Sequence, residues 1–157
     1  MSPKSAKSPQ SLYAILVEYL KAKDLELTEE AEESTASFPV TTDSTEFVVY
    51  ARADEDARHV IVHSVFRLRV PDLEREAVAL YLTRANYGLG SGNFELDLDD
   101  GETRFKTSID LGDTPLTPSL LEPLFGANIA TVDLYAAGIS AVVAGVLPED
   151  AILLAEG

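Results

Sequence analysis

The chain has 157 residues, length for one hydrophobic core, and its 46% apolar and 25% charged residues are ordinary globular values. It has no cysteine, which excludes a disulfide framework and a thiolate zinc site. A formal net charge of −15 repels phosphate backbones and anionic lipid headgroups, leaving either plain solubility or attraction of a basic partner segment as the role of the acidity.

Residues 1–9 are rich in Ser, Pro and Lys and are expected to form a loose tail, with the domain over residues 10–147 and a C-terminal tail over 148–157. No apolar run follows the basic start, so a secretory signal is not expected and a cytoplasmic location is. Ser11 suits the N-cap of a first helix running to about Asp24, with Leu12, Ile15, Leu16, Tyr19 and Leu20 at helical spacing. The acidic run Glu26, Glu29, Glu30, Glu32 and Glu33 reads as a solvated loop or an edge strand.

Alternation of period two then takes over. Ala36, Phe38 and Val40 mark one strand, and Phe47, Val49, Ala51 and Ala53 are the inner face of the next. Val60, Val62, Ser64, Phe66 and Leu68 are the inner face of a third. A turn over 54–57 would set Ala53 opposite Arg58, Ala51 opposite Val60 and Val49 opposite Val62. Pro71 and Asp72 open a second helix with a stripe of Leu73, Ala77, Leu80, Tyr81 and Arg84, stopped at Gly88 or Gly90. In the segment 94–106, Asp100-Gly101 suits a two-residue type I′ turn. That turn would pair Leu98 with Thr103, Leu96 with Phe105, Phe94 with Thr107, Asp97 with Arg104 and Glu95 with Lys106.

Thr117-Pro118 starts another helix, which Pro123 or Gly126 is expected to interrupt before a long apolar helix from about Ile129. The apolar stretch 129–147 lacks Lys or Arg anchors, and Ala137, Ala141 and Gly145 form a small-residue ridge suited to close packing of a buried helix on a sheet. Ile152, Leu153 and Leu154 in the last segment are candidates for docking on the body. The order α-β-β-β-α-β-β-α predicts an α+β fold, an antiparallel sheet flanked by helices.

The chemical motifs are weak. His59 and His63 stand at i, i+4 on a strand, where their Cβ atoms lie roughly 13 Å apart, too far to share a metal. Gly88, Gly90 and Gly92 follow a helix and precede a strand, the reverse of a phosphate-binding loop. Counted from Glu95 as an EF-hand loop, Gly101 is seventh and Lys106 twelfth, which breaks the calcium pattern. No G-x-S-x-G occurs, and no carboxylate pair can be singled out for acid–base work. No cofactor is expected. A second possibility is a small-ligand or metal sensor, or an enzyme, with a site built from scattered carboxylates and a histidine.

One feature departs from the rule that a half-exposed sheet is polar outside: Val48, Tyr50, Ile61 and Val65 lie on the outer face among Arg52, His59 and His63. Either a terminal segment covers this face or a second chain does, which makes these residues the candidate partner-binding set.

The segment Leu80–Asn86, then Gly92–Asp97 and Asp100-Gly101, then Thr117, Leu120, Leu121, Asp133 and Tyr135, resembles the YbjN-like family over roughly residues 11–146. The resemblance implies a type III secretion chaperone-like fold and the family's label of sensory transduction regulator. Secretion chaperones with this fold are small acidic homodimers that hold extended segments of partner proteins, so it also implies a protein partner and a homodimer. No catalytic residues carry over. Asn86 is the one polar position the resemblance singles out, with helix C-capping as its expected role.

Overall fold

The computed structural model describes residues 8–157, so most of the tail expected over residues 1–9 lies outside the described residues. Helix α1 (Leu12–Lys21) begins where Ser11 Oγ accepts the Ala14 N–H, as an N-cap serine should. The strands are β1 (Thr28–Glu30), β2 (Thr35–Thr41), β3 (Glu46–Asp54), β4 (His59–Phe66), β5 (Asn93–Leu96) and β6 (Thr103–Asp110). The remaining helices are α2 (Arg75–Gly88), α3 (Pro118–Val143), α4 (Pro148–Ala151) and α5 (Leu153–Glu156). All strand pairs are antiparallel in one six-stranded sheet of order β1-β2-β3-β4-β6-β5. The acidic run is in part an edge strand, β1, exposed throughout.

Period-two alternation decides the layering. Ala36, Phe38, Phe47, Val49, Ala51, Ala53, Val60, Val62, Phe66, Phe94 and Phe105 are buried on one face, and the apolar sides of α1, α2 and α3 close over them. The opposite face receives no helix among the described residues, and none of its side chains is buried.

Both hairpins keep the expected faces but take registers two residues away from those expected. In β3–β4, Asp54 pairs with His59, Ala53 with Val60, Ala51 with Val62 and Val49 with Ser64. Asp54 Oδ1 accepts the Ala57 N–H, and Arg58 adopts φ 56° and turns its guanidinium to the carbonyls of Gly112 and Thr114. Arg58 therefore belongs to the loop and not to the ladder. In β5–β6, Leu96 pairs with Thr103, Glu95 with Arg104, Phe94 with Phe105 and Asn93 with Lys106, leaving a connection from Asp97 to Glu102 in place of a two-residue turn. The carboxylates of Asp97 and Asp100 accept N–H groups two residues on, from Asp99 and Glu102, which draws them out of the strands. The loop is then fastened from outside: Val70 N–H donates to Gly101 O at 2.9 Å, and Arg75 donates to the carbonyls of Leu98 and Asp99. Gly101, at φ 79°, is needed because a Cβ there would stand 2.2 Å from Val70 O.

Further expectations are corrected. The buried stripe of α2 is Val78, Tyr81, Leu82 and Ala85, while Leu73 and Leu80 are exposed. A 3-10 turn over Asp72–Glu74 precedes the α-helix, and its three-residue period breaks a stripe counted from Leu73. Strand β4 ends at Phe66, so Leu68 is exposed. Helix α3 runs unbroken through Pro123 and Gly126; the carbonyl that Pro123 leaves without a donor belongs to Ser119, exposed in the first turn. The ridge of Ala137, Ala141 and Gly145 is not the close-packing side, since Ala137 and Gly145 are exposed and the buried glycine is Gly138.

By length and composition α3 could cross a membrane; here it is the central core helix, burying Leu121, Phe125, Val132, Tyr135 and Ile139. The C-terminal segment docks through Pro148, Ala151 and Ile152, and Tyr135 donates to Glu156 at 2.7 Å. Leu153 and Leu154 stay exposed.

Candidate functional site

The open sheet face is built in rows by the strand register. One row runs Pro39, Val48, Val65, Arg104 and Glu95; the next runs Ser37, Tyr50, His63, Lys106 and Asn93. A third runs Glu30, Thr35, Arg52, Ile61 and Ser108, and a fourth holds Asp54, His59 and Asp110. Val48, Tyr50, Arg52, His59, Ile61, His63 and Val65 are therefore contiguous across β3 and β4. Val48, Ile61 and Val65 are half-buried, and Tyr50 is 40% exposed. Apolar side chains thus sit at the middle of the face, with charged groups on the β5–β6 side and Thr35, Ser37 and Pro39 on the β2 side.

The sequence pattern leaves out the third strand of this surface. With the two-residue register difference, Glu95 faces Arg104 rather than Lys106, and its carboxylate takes both: Arg104 Nε donates to one oxygen and Lys106 Nζ to the other at 2.7 Å. Partial burial pushes the Glu95 carboxyl up, but the hydrogen bonds and charges of Lys106 and Arg104 outweigh it and bring it down to about 2. His63 stands behind this cluster, its Nε2 4.0 Å from Glu95 and buried without a hydrogen-bond partner. Burial first, and the Arg104 charge second, hold its pKa below the ordinary histidine value, so the ring is neutral at pH 7. Asp97, the other acid expected to pair across this hairpin, lies in the loop.

Glu95 carries a pH prediction. Its folded pKa is depressed from the ordinary carboxyl value, so its contribution to stability is complete above pH ~4.5 and is lost as pH falls toward 2. Acid titration of stability should show a steeper decline in that window for the wild type than for Glu95→Gln. Equal slopes would show that the ion pairs do not contribute.

Asn86 does not cap its helix through its side chain. It lies in the last turn of α2, where its backbone carbonyl accepts the Leu89 N–H at 3.3 Å, and its carboxamide bonds Phe94 on β5: Phe94 N–H donates to Oδ1 at 2.7 Å and Nδ2 donates to Phe94 O at 3.1 Å.

His59 and His63 occupy separate rows and do not converge, and no cluster of three or more metal-ligating side chains forms among the described residues. Elsewhere, a groove of about 210 Å³ lies between α1 and α3, where Tyr19 stacks on Phe125 at 5.7 Å and Glu122 accepts from Tyr19 and Lys23.

Comparison with known proteins bears on the fold. The family model "YbjN: Putative bacterial sensory transduction regulator" matches residues 13–141. Among solved structures, "YbjN, a putative transcription regulator from E. coli" superposes with a TM-score of 0.62 at 10% identity, covering 85% of this chain and 92% of that one. The ExsC-ExsE complex gives a TM-score of 0.51 at 12% identity, covering 81% of this chain and 95% of that one. A sequence comparison with curated proteins returns no match. The α+β fold, six antiparallel strands with helices on one side, is thus type III secretion chaperone-like.

Proposed function

The chain belongs to the YbjN family, and from that premise we propose that it is a non-enzymatic protein-binding module with a regulatory or chaperone-like role, docking its partner on the open sheet face. The observation that carries this reading is that Val48, Tyr50, Ile61 and Val65 form an apolar centre on a face that no described element covers. An apolar centre with polar groups at its margins is the usual composition of a docking surface.

Charge supports a second copy of the chain as one occupant. On the strands of this face Arg52, Arg104 and Lys106 stand among Glu30, Glu46, Asp54, Glu95 and Asp110, a small excess of negative charge on a molecule of net charge −15. Two copies repel each other least when these faces meet. The reading includes a homodimer and a cytoplasmic location away from nucleic acid and membrane surfaces.

Light scattering and partner capture test it. The wild type should be dimeric at micromolar concentration, and Tyr50→Glu combined with Val65→Arg should weaken association more than tenfold, with circular dichroism showing that the variant stays folded. A wild type that stays monomeric at high micromolar concentration removes the homodimer. Repeated capture at low salt without a stoichiometric partner sinks the binding role.

A further inference from the structure

Among the described residues strand β5 is an edge and pairs only with β6. An edge strand ordinarily presents a row of free N–H and C=O groups on which another chain can build. Here the outward-pointing groups of Phe94 are both taken, its N–H by Asn86 Oδ1 at 2.7 Å and its C=O by Asn86 Nδ2 at 3.1 Å. This is the two-bond exchange that an opposite strand residue makes in an antiparallel pair. One carboxamide therefore stands in for the residue of a seventh strand opposite Phe94, in the middle of a four-residue edge. The stand-in is held rigidly, because α2 anchors Asn86 through Val78, Tyr81, Leu82 and Ala85. Gly92, at φ 75° and where a Cβ would stand 2.5 Å from Lys106 O, lets the chain turn back into β5 within a few residues.

The opposite edge is closed by different means. Strand β1 has three residues, all exposed, including Glu29 and Glu30, with Glu32 and Glu33 immediately after it. A short edge of one charge sign repels the same edge of another copy.

We infer that Asn86 seals the β5 edge against strand addition, so that a second copy of this chain packs face to face across β3, β4 and β6 and not edge to edge. The face-to-face half rests on the reading of the open face as the docking surface; the sealing of the edge does not.

Hydrogen exchange followed by NMR, together with sedimentation, decides it. In the wild type the Phe94 amide, though on an edge, should exchange about a hundredfold more slowly than an unpaired amide. Asn86→Ala should remove that protection and gain concentration-dependent association that the double variant Tyr50→Glu, Val65→Arg does not suppress. Asn86→Asp keeps the acceptor and loses the donor, so Phe94 N–H should stay protected. If Asn86→Ala does not fold, wild-type exchange and the Asn86→Asp variant decide. A wild-type Phe94 amide as fast as an unpaired one overturns the inference, as does a folded Asn86→Ala protein with unchanged protection or without new association. Wild-type self-association that newly protects the amides of Thr28–Glu30 overturns it as well. Failure of the docking reading looks different: the face variant would then leave wild-type association unchanged.

Discussion

Asn128→Leu is expected to lower stability by about 3 kcal/mol, the cost of leaving buried polar groups without partners. Asn128 is fully buried in α3, and its carboxamide joins that helix to the sheet. Its Oδ1 accepts the Ser64 hydroxyl; its Nδ2 donates to Thr107 Oγ1 at 3.0 Å and to Val62 O at 3.1 Å. Thr107 in turn donates to Leu124 O at 2.8 Å, so the network ends where it began, on α3. Leucine has nearly the same shape as asparagine, which limits the packing change and isolates the polar term. It strands the Ser64 hydroxyl in a closed site. For a chain of this length the loss corresponds to a fall in Tm of about 6–12 °C. Adding Ser64→Ala to the Asn128→Leu variant should return roughly 1 kcal/mol, because the orphaned hydroxyl goes with it. A fall in Tm below about 2 °C for Asn128→Leu would show that the network is energetically neutral.

This network was not legible in the sequence, and the reason is physical. Asn128 lies just past Pro123 and Gly126, in a segment whose composition speaks for a helix break. Only the assembled sheet shows that Ser64 and Thr107, on strands β4 and β6, meet there. What period two does determine is the face of each side chain, and every inner residue within the strands is buried or half-buried as expected. Register is weaker, because a shift of two residues preserves faces. In both hairpins aspartates settled it by bonding backbone amides locally, a competition that alternation cannot reveal. The open face was accordingly readable as a set of residues on β3 and β4, since that set depends on parity alone. Its third strand was not, because the neighbours of Glu95 depend on register. Asn86 was singled out by the family resemblance, but its partner Phe94 could be assigned only once α2 was seen packed against β5.

Gly138→Ala is expected to have the larger effect, a loss of about 4 kcal/mol, above the usual range of about 1–3 kcal/mol for overpacking a core because the clash is with a ring that cannot move. Alanine in place of glycine inside a helix normally gains up to about 1 kcal/mol, so the sign here is decided by contacts. A Cβ at position 138 would stand 1.9 Å from the Tyr81 hydroxyl oxygen and 2.3 Å from the ring carbon that bears it. Tyr81 cannot withdraw: it is fully buried, and its hydroxyl donates to Tyr135 O at 2.9 Å. Helix α2 must therefore move off α3 or the phenol must leave its site. Tyr81→Phe should not rescue the alanine, because ring carbons at 2.3 and 2.6 Å remain in the way. Gly126→Ala supplies the control within the same helix, since no atom lies within 4 Å of a Cβ there. Thermal denaturation should then move in opposite directions, down by about 8–16 °C for Gly138→Ala and up by about 2 °C for Gly126→Ala. Two losses of similar size would mean that α3 requires flexible backbone along its length. Two gains would mean that α2 and α3 are not held together through Tyr81.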